Sequence, residues 1–131
     1  MTLLEECIIA LGNDTEILSS QETKITFQDM SNTFPMTKWG RIDWEKTDGN
    51  FEIVSKKNIL ERLSRMYNDL NKTVYILWDE VSLPAVRTNL VKAIDVVDDV
   101  TAVSFDTWIF CSSENYVIEF YHENEIRVGW K

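Results

Sequence analysis

Leu4, Cys7, Ile8 and Leu11 recur at i, i+3, i+4 and i+7, one stripe of a helix, and Gly12 follows where helices commonly end. The pattern then fades. Within residues 13–50 the run "KITFQ" reads as a strand with Ile25 and Phe27 on one face. After it, "SNTFPMTKWGRIDWEKTDGN" is loop-like, with Pro35, Gly40 and the turn signal "DGN". Trp39 and Trp44 stand in that loop as anchors folding it onto the body or as exposed contacts for a partner. Large aromatics mostly bury themselves, which favours the anchors.

Beyond the turn, "FEIVS" makes a short strand. Ser55 then caps a helix over 56–71, where Ile59, Leu63, Met66, Tyr67 and Leu70 form one apolar stripe and Asn71 is the stop. "TVYILWD" is a near-continuous apolar run, the pattern of a strand buried on both faces and so central in its sheet. "SLPAVRTNLVKAIDVV" predicts a helix over 84–97, with Ser82 as N-cap, Pro84 in the first turn, and Val86, Leu90, Ala93, Ile94 and Val97 on one face. After Val100 the period changes from 3.6 to 2. "AVSFDTWIFC", "YVIEFY" and "IRVGW" alternate with turns at "SSEN" and "HENE", a three-stranded antiparallel meander. The expected fold is α+β (or α/β): a single mixed, mainly antiparallel sheet ending in that meander and joined to the 74–79 strand, with helices packed on it. Residues 1–131 read as one domain, long enough to bury roughly two thirds of its extended-chain surface.

Composition adds two exclusions. With 44% hydrophobic residues and five tryptophans, the chain has material for a core and does not read as disordered. No apolar run approaches the ~18 residues of a membrane span. Glu5 and Glu6 occupy positions where a signal peptide carries basic residues, so the expectation is a cytoplasmic protein. Cys7 and Cys111 lie in apolar surroundings without a metal-binding or redox spacing, and read as two buried free thiols. The net charge is −9, and residues 73–131 carry most of it, 4 basic against 10 acidic side chains. Such a field repels nucleic acid and anionic membrane and favours a cationic partner.

Candidate chemistry centres on the only histidine, His122, with Glu119, Glu123 and Glu125 close in sequence. Period two puts Tyr116, Ile118 and Phe120 on one face and Val117, Glu119 and Tyr121 on the other; Glu125, Arg127 and Gly129 of the next strand fall with the second set. Glu119 and Tyr121 are therefore expected on an open face beside Arg127, in a cross-strand Glu–Arg pair. His122, Glu123 and Asn124 are expected in the turn, where Asn suits the left-handed conformation. One histidine with carboxylates that alternate outward does not assemble the three or more converging ligands of a metal site; "WDE" and "VDD" supply carboxylates alone for a Mg²⁺ site. No phosphate loop, nucleophile elbow or paired nucleophile and base stands out, so no catalytic residue, metal or cofactor is assigned. The remaining feature is a set of acids and aromatics, Asp79, Glu80, Asp98, Asp99, Asp106, Trp108, Glu119, Tyr121 and Glu123. Taken singly these are solvated surface residues; as a set they read as a partner-binding face, with clustered charge for steering and aromatics for anchoring.

The block from "TVYILWDEV" to "IRVGW", and within it "DDVTAVSFDTW" and "VIEFYHENEI", resembles small bacterial immunity proteins of polymorphic-toxin and contact-dependent growth inhibition systems. The resemblance spans roughly the C-terminal half and carries no residue-by-residue binding motif. It implies a cytoplasmic, non-catalytic antitoxin, monomeric or in a 1:1 complex, that binds one cognate toxin domain, often a basic nuclease. Two rival classes stand beside it. A non-catalytic adaptor subunit of a bacterial complex would show a broad apolar exposed face, and a small metal-dependent hydrolase would show carboxylates converging on a metal or a deep pocket.

Overall fold

The computed structural model describes residues 1–131. In chain order its elements are α1 (Leu3–Leu11), β1 (Glu16–Ile17), α2 (Ser20–Thr33), β2 (Gly49–Ile53), α3 (Ile59–Ser64), β3 (Thr73–Trp78), β4 (Val86–Asn89), α4 (Leu90–Asp95), α5 (Val97–Thr101), β5 (Thr107–Cys111), β6 (Tyr116–Tyr121) and β7 (Glu125–Trp130). All seven strands form one sheet in the order β1-β4-β3-β5-β6-β7-β2. Every pairing is antiparallel, so the expected mixed sheet is corrected to a wholly antiparallel one in an α+β fold. The reason is that β3 and β5 join through β4 and two short helices that bring the chain back antiparallel, not through one parallel crossover.

The meander forms as its alternation predicts, with Ile109 opposite Ile118 and Ile118 opposite Val128. β3 joins it through β5, with Ile76 opposite Ile109, and lies inside the sheet as its apolar run requires. α1 also agrees: Thr2 and Glu5 close a capping box at its start, and the Gly12 N–H donates to the Ile8 carbonyl at φ +87°.

Three elements differ from their expected form. "KITFQ" is helical, inside α2, because Ser19 and Glu22 form a reciprocal capping box that starts the helix just upstream. Ile25 consequently points to solvent while Phe27 and Met30 face the sheet. The helix expected over 84–97 begins only at Leu90, capped by Asn89 and not by Ser82. Val86–Asn89 is instead a strand paired with β3, in which Val86 and Thr88 are buried and Arg87 is exposed. Val86 and Leu90 satisfy helical spacing by coincidence, and the β-branched alternation prevails. The helix expected over 56–71 is a short 3₁₀ turn over 56–58 followed by α3, ending at Ser64. Downstream, the Asp69 side chain accepts from the Asn71 N–H, a local bond that competes with helix continuation. Tyr67 still packs inward, on Tyr116.

Helices cover both faces. On one, α1, α3, α4 and α5 bury Cys7, Ile59, Leu63, Leu90 and Val100 against Ile76, Ile109, Ile118 and Val128. On the other, α2 and the segment after it bury Met30, Phe34 and Ile42 against Leu77, Trp108, Phe110 and Val117. Edge-to-face contacts of Phe27 with Trp108 and Phe34 with Phe110 fix α2 on this second face.

Candidate functional site

Register decides which acids meet. Trp78 lies opposite Thr107, Thr107 opposite Phe120, Phe120 opposite Ile126, and Ile126 opposite Ile53. The loops that follow or precede these residues therefore share one end of the sheet, and they carry Asp79, Glu80, Asp106 and Glu123. Asp79 Oδ1 accepts from Ser104 Oγ at 2.7 Å and from the Asp106 N–H at 3.0 Å. Asp106 Oδ1 in turn meets the His122 N–H at 2.8 Å and the ring Nδ1 at 3.0 Å. Asp98, on α5, reaches the same end, where Lys56 pairs with it at 3.0 Å; Asp99 follows it on the helix, its charge acting on Cys7 of α1.

His122 sits in the expected turn with its side chain 43% exposed, and Asn124 takes the left-handed conformation at φ +64°. The imidazole contacts a single carboxylate and lies tilted by 42° against the Tyr121 ring, centroids 4.2 Å apart. No three His, Cys, Asp or Glu side chains are grouped to hold a metal ion.

Trp108 and Glu119, expected on the exposed acidic–aromatic face, are only 2% and 1% exposed. This is a correction with a simple cause: α2 and the 34–48 segment cover the sheet face on which both lie. Glu119 is the centre of a buried network. Its Oε1 accepts from Arg41 Nε at 3.0 Å and Nη2 at 2.8 Å, and its Oε2 accepts from the Ile42 N–H at 2.8 Å and Trp108 Nε1 at 3.1 Å. The expected Glu119–Arg127 pair does not form, although the two residues are register partners. Arg127 turns to Asn50 and Glu125, and Arg41, 78 positions away, takes Glu119. Arg41 also bonds Glu125 at 2.7 Å and lies 4.1 Å above the Tyr121 ring. That hydrogen bond from Arg41 holds the Glu125 carboxyl below its ordinary range against the opposing effect of partial burial.

The network pins a hairpin within the segment whose sequence pattern predicts a loop. Met36 and Ile42 form a bridge, the Thr37 N–H donates to the Arg41 carbonyl, and Gly40 turns at φ +81°. Trp39 at its tip is 77% exposed. Trp44 behaves as the anchor, packed so closely on Gly129 that a Cβ there would lie 2.6 Å from its ring. The two free thiols are buried, and burial, assisted by the Asp99 charge, pushes Cys7 up to about 11.

A family model for the CdiI immunity protein, EcoliA0-like, matches residues 1–129 of this chain. The chain belongs to that family. It is an immunity protein of contact-dependent growth inhibition systems, and its partner is a cognate toxin. The match extends across α1, α2 and the pinned hairpin as well as the C-terminal half. No curated protein matches the chain. No helix is long and apolar enough to cross a membrane.

Proposed function

We propose that this CdiI-type chain neutralises a basic, nuclease-like toxin domain in the cytoplasm by 1:1 binding across the acidic end of its sheet. Residues 1–131 act as one immunity-type domain, monomeric before it meets the toxin, with no catalytic step, metal or cofactor, and with no affinity for nucleic acid or membrane. The contacts proposed are Asp79, Glu80, Asp98, Asp99, Asp106, Tyr121 and Glu123. Trp108 and Glu119 contribute from beneath, as supports.

The convergence of Asp79, Glu80, Asp106 and Glu123 on one end of the sheet carries this reading. Carboxylates so placed can occupy the positions of phosphates in a basic cleft, which favours occlusion of the toxin's own substrate. Lys56 pairs with Asp98 but Asp99 has no basic partner, so the rim keeps a surplus of negative charge. Tyr121, under Arg41, adds a rigid aromatic edge.

The test is co-purification with the toxin domain encoded beside this chain, together with protection of toxin-expressing cells. Asp98→Lys with Asp99→Lys should lose both the complex and protection while the protein's thermal unfolding stays close to wild type. Retention of the complex and full protection by this double variant would show that the acids only solvate the protein.

A further inference from the structure

Next to the acidic rim, on the face covered by α2, lies a cavity of ≈610 Å³. Phe27, Met36, Leu77 and Trp108 line its apolar part, Asp79 and Glu80 stand at its lip, and Gly40 of the pinned hairpin closes one side. Trp39, next to Gly40 in the chain, is exposed at the hairpin tip, with Lys38 Nζ 4.9 Å above its ring. A tryptophan this exposed on a free protein is unfavourable, and here it stands on a hairpin whose backbone is tied to the core by a buried carboxylate. Burying Glu119 is costly, and its four hydrogen bonds satisfy it only while the hairpin keeps this form. Rigid presentation of a large aromatic on a hairpin that borders a preformed cavity is the anatomy of an interface anchor.

Charge selects the occupant. Asp79 and Glu80 receive hydrogen bonds from Ser104, Ser82 and the Asp106 N–H, and no lysine or arginine of the chain pairs with either. Lys24 is the only base lining the cavity. A long cationic side chain fits this combination, its methylene stem along Phe27 and Met36 and its charge at the lip.

We infer that the Trp39 hairpin and the adjoining cavity form the anchor of the toxin interface, with a lysine or arginine of the toxin entering the cavity and Trp39 packing on the toxin surface around it. Glu119 is a positioning residue that acts through the hairpin. The inference rests on the proposed toxin-binding function and adds to it a contact distinct from the α5 acids.

Binding of the purified toxin domain to variants of the full chain tests it by calorimetry and surface kinetics. Trp39→Ala should weaken binding more than tenfold, mainly through faster dissociation, with unfolding unchanged because the side chain is exposed. Glu80→Lys should weaken binding and Lys24→Glu should tighten it, the signs that a cationic occupant requires. In a double-mutant cycle, Glu119→Gln should weaken binding when Trp39 is present and add little when Trp39 is alanine. A merely structural role for Glu119 would give equal losses in both backgrounds. Ile9→Ala, an exposed apolar change on α1, is the control and should bind as wild type. Unchanged binding of Trp39→Ala, or the opposite signs for Glu80→Lys and Lys24→Glu, would overturn the inference. If Trp39→Ala binds normally while the Asp98/Asp99 reversal does not, the anchor fails and the acidic-surface reading survives.

Discussion

At the scale of single residues, Glu119 and His122 show how little sequence proximity says about role. They stand three positions apart, yet one is sealed under the hairpin and the other lies in solvent. Glu119→Gln removes an acceptor from a carboxylate that serves Arg41, the Ile42 N–H and Trp108 at once. Because Arg41 retains some access to water, the cost should fall near the lower end for a broken buried pair, roughly 3 kcal/mol. Urea denaturation at neutral pH would measure it; a change within experimental error would contradict the network. His122→Ala, in contrast, should keep stability within about 1 kcal/mol of wild type, as surface substitutions generally do. The same chemical denaturation checks it, and calorimetry should show toxin affinity within tenfold of wild type.

At the scale of elements, the hairpin and α2 are held by local devices that can be removed one at a time. Ser19→Ala deletes the hydroxyl that accepts from the Glu22 N–H, and should lower stability by about 1 kcal/mol, read as a lower Tm. The hairpin's second tie is acid-sensitive. The folded-state pKa of Glu125 is depressed below its ordinary 4.5, so its contribution is present above that value and is lost as pH falls through the folded one. The Tm difference between wild type and Glu125→Gln should therefore be constant from neutral pH down to about 5 and shrink below it. A difference that grows on acidification would refute the assignment.

These same elements mark how far local sequence pattern carries the fold. The meander was legible because alternation, β-branched residues and turn signals agree over residues 107–130. α2 was not, since "KITFQ" alternates as a strand does, and the deciding signal was the Ser19–Glu22 spacing upstream. α2 is the layer that buries Trp108 and Glu119, and without its signal the strand alternation alone points both to an open face. Arg41 was illegible as the partner of Glu119, because a contact across 78 positions leaves no trace in local pattern. The shared position of Asp79, Asp106 and Glu123 at one end of the sheet follows from strand register.

For the whole molecule, the charge imbalance and the architecture point the same way. Helices shield both sheet faces, and the acids gather in the end loops and on α5, where Asp98 pairs with Lys56 and Asp106 bonds His122 while Asp79, Glu80, Asp99 and Glu123 have no lysine or arginine partner. If that field captures a basic toxin, association must depend on ionic strength, because screening shortens the reach of exposed charge. The most direct measurement is stopped-flow association with the cognate toxin domain from about 0.05 to about 0.5 M salt. The expected result is an association rate that falls at least tenfold while dissociation changes far less. An association rate indifferent to salt would contradict electrostatic capture by the acidic end of the sheet.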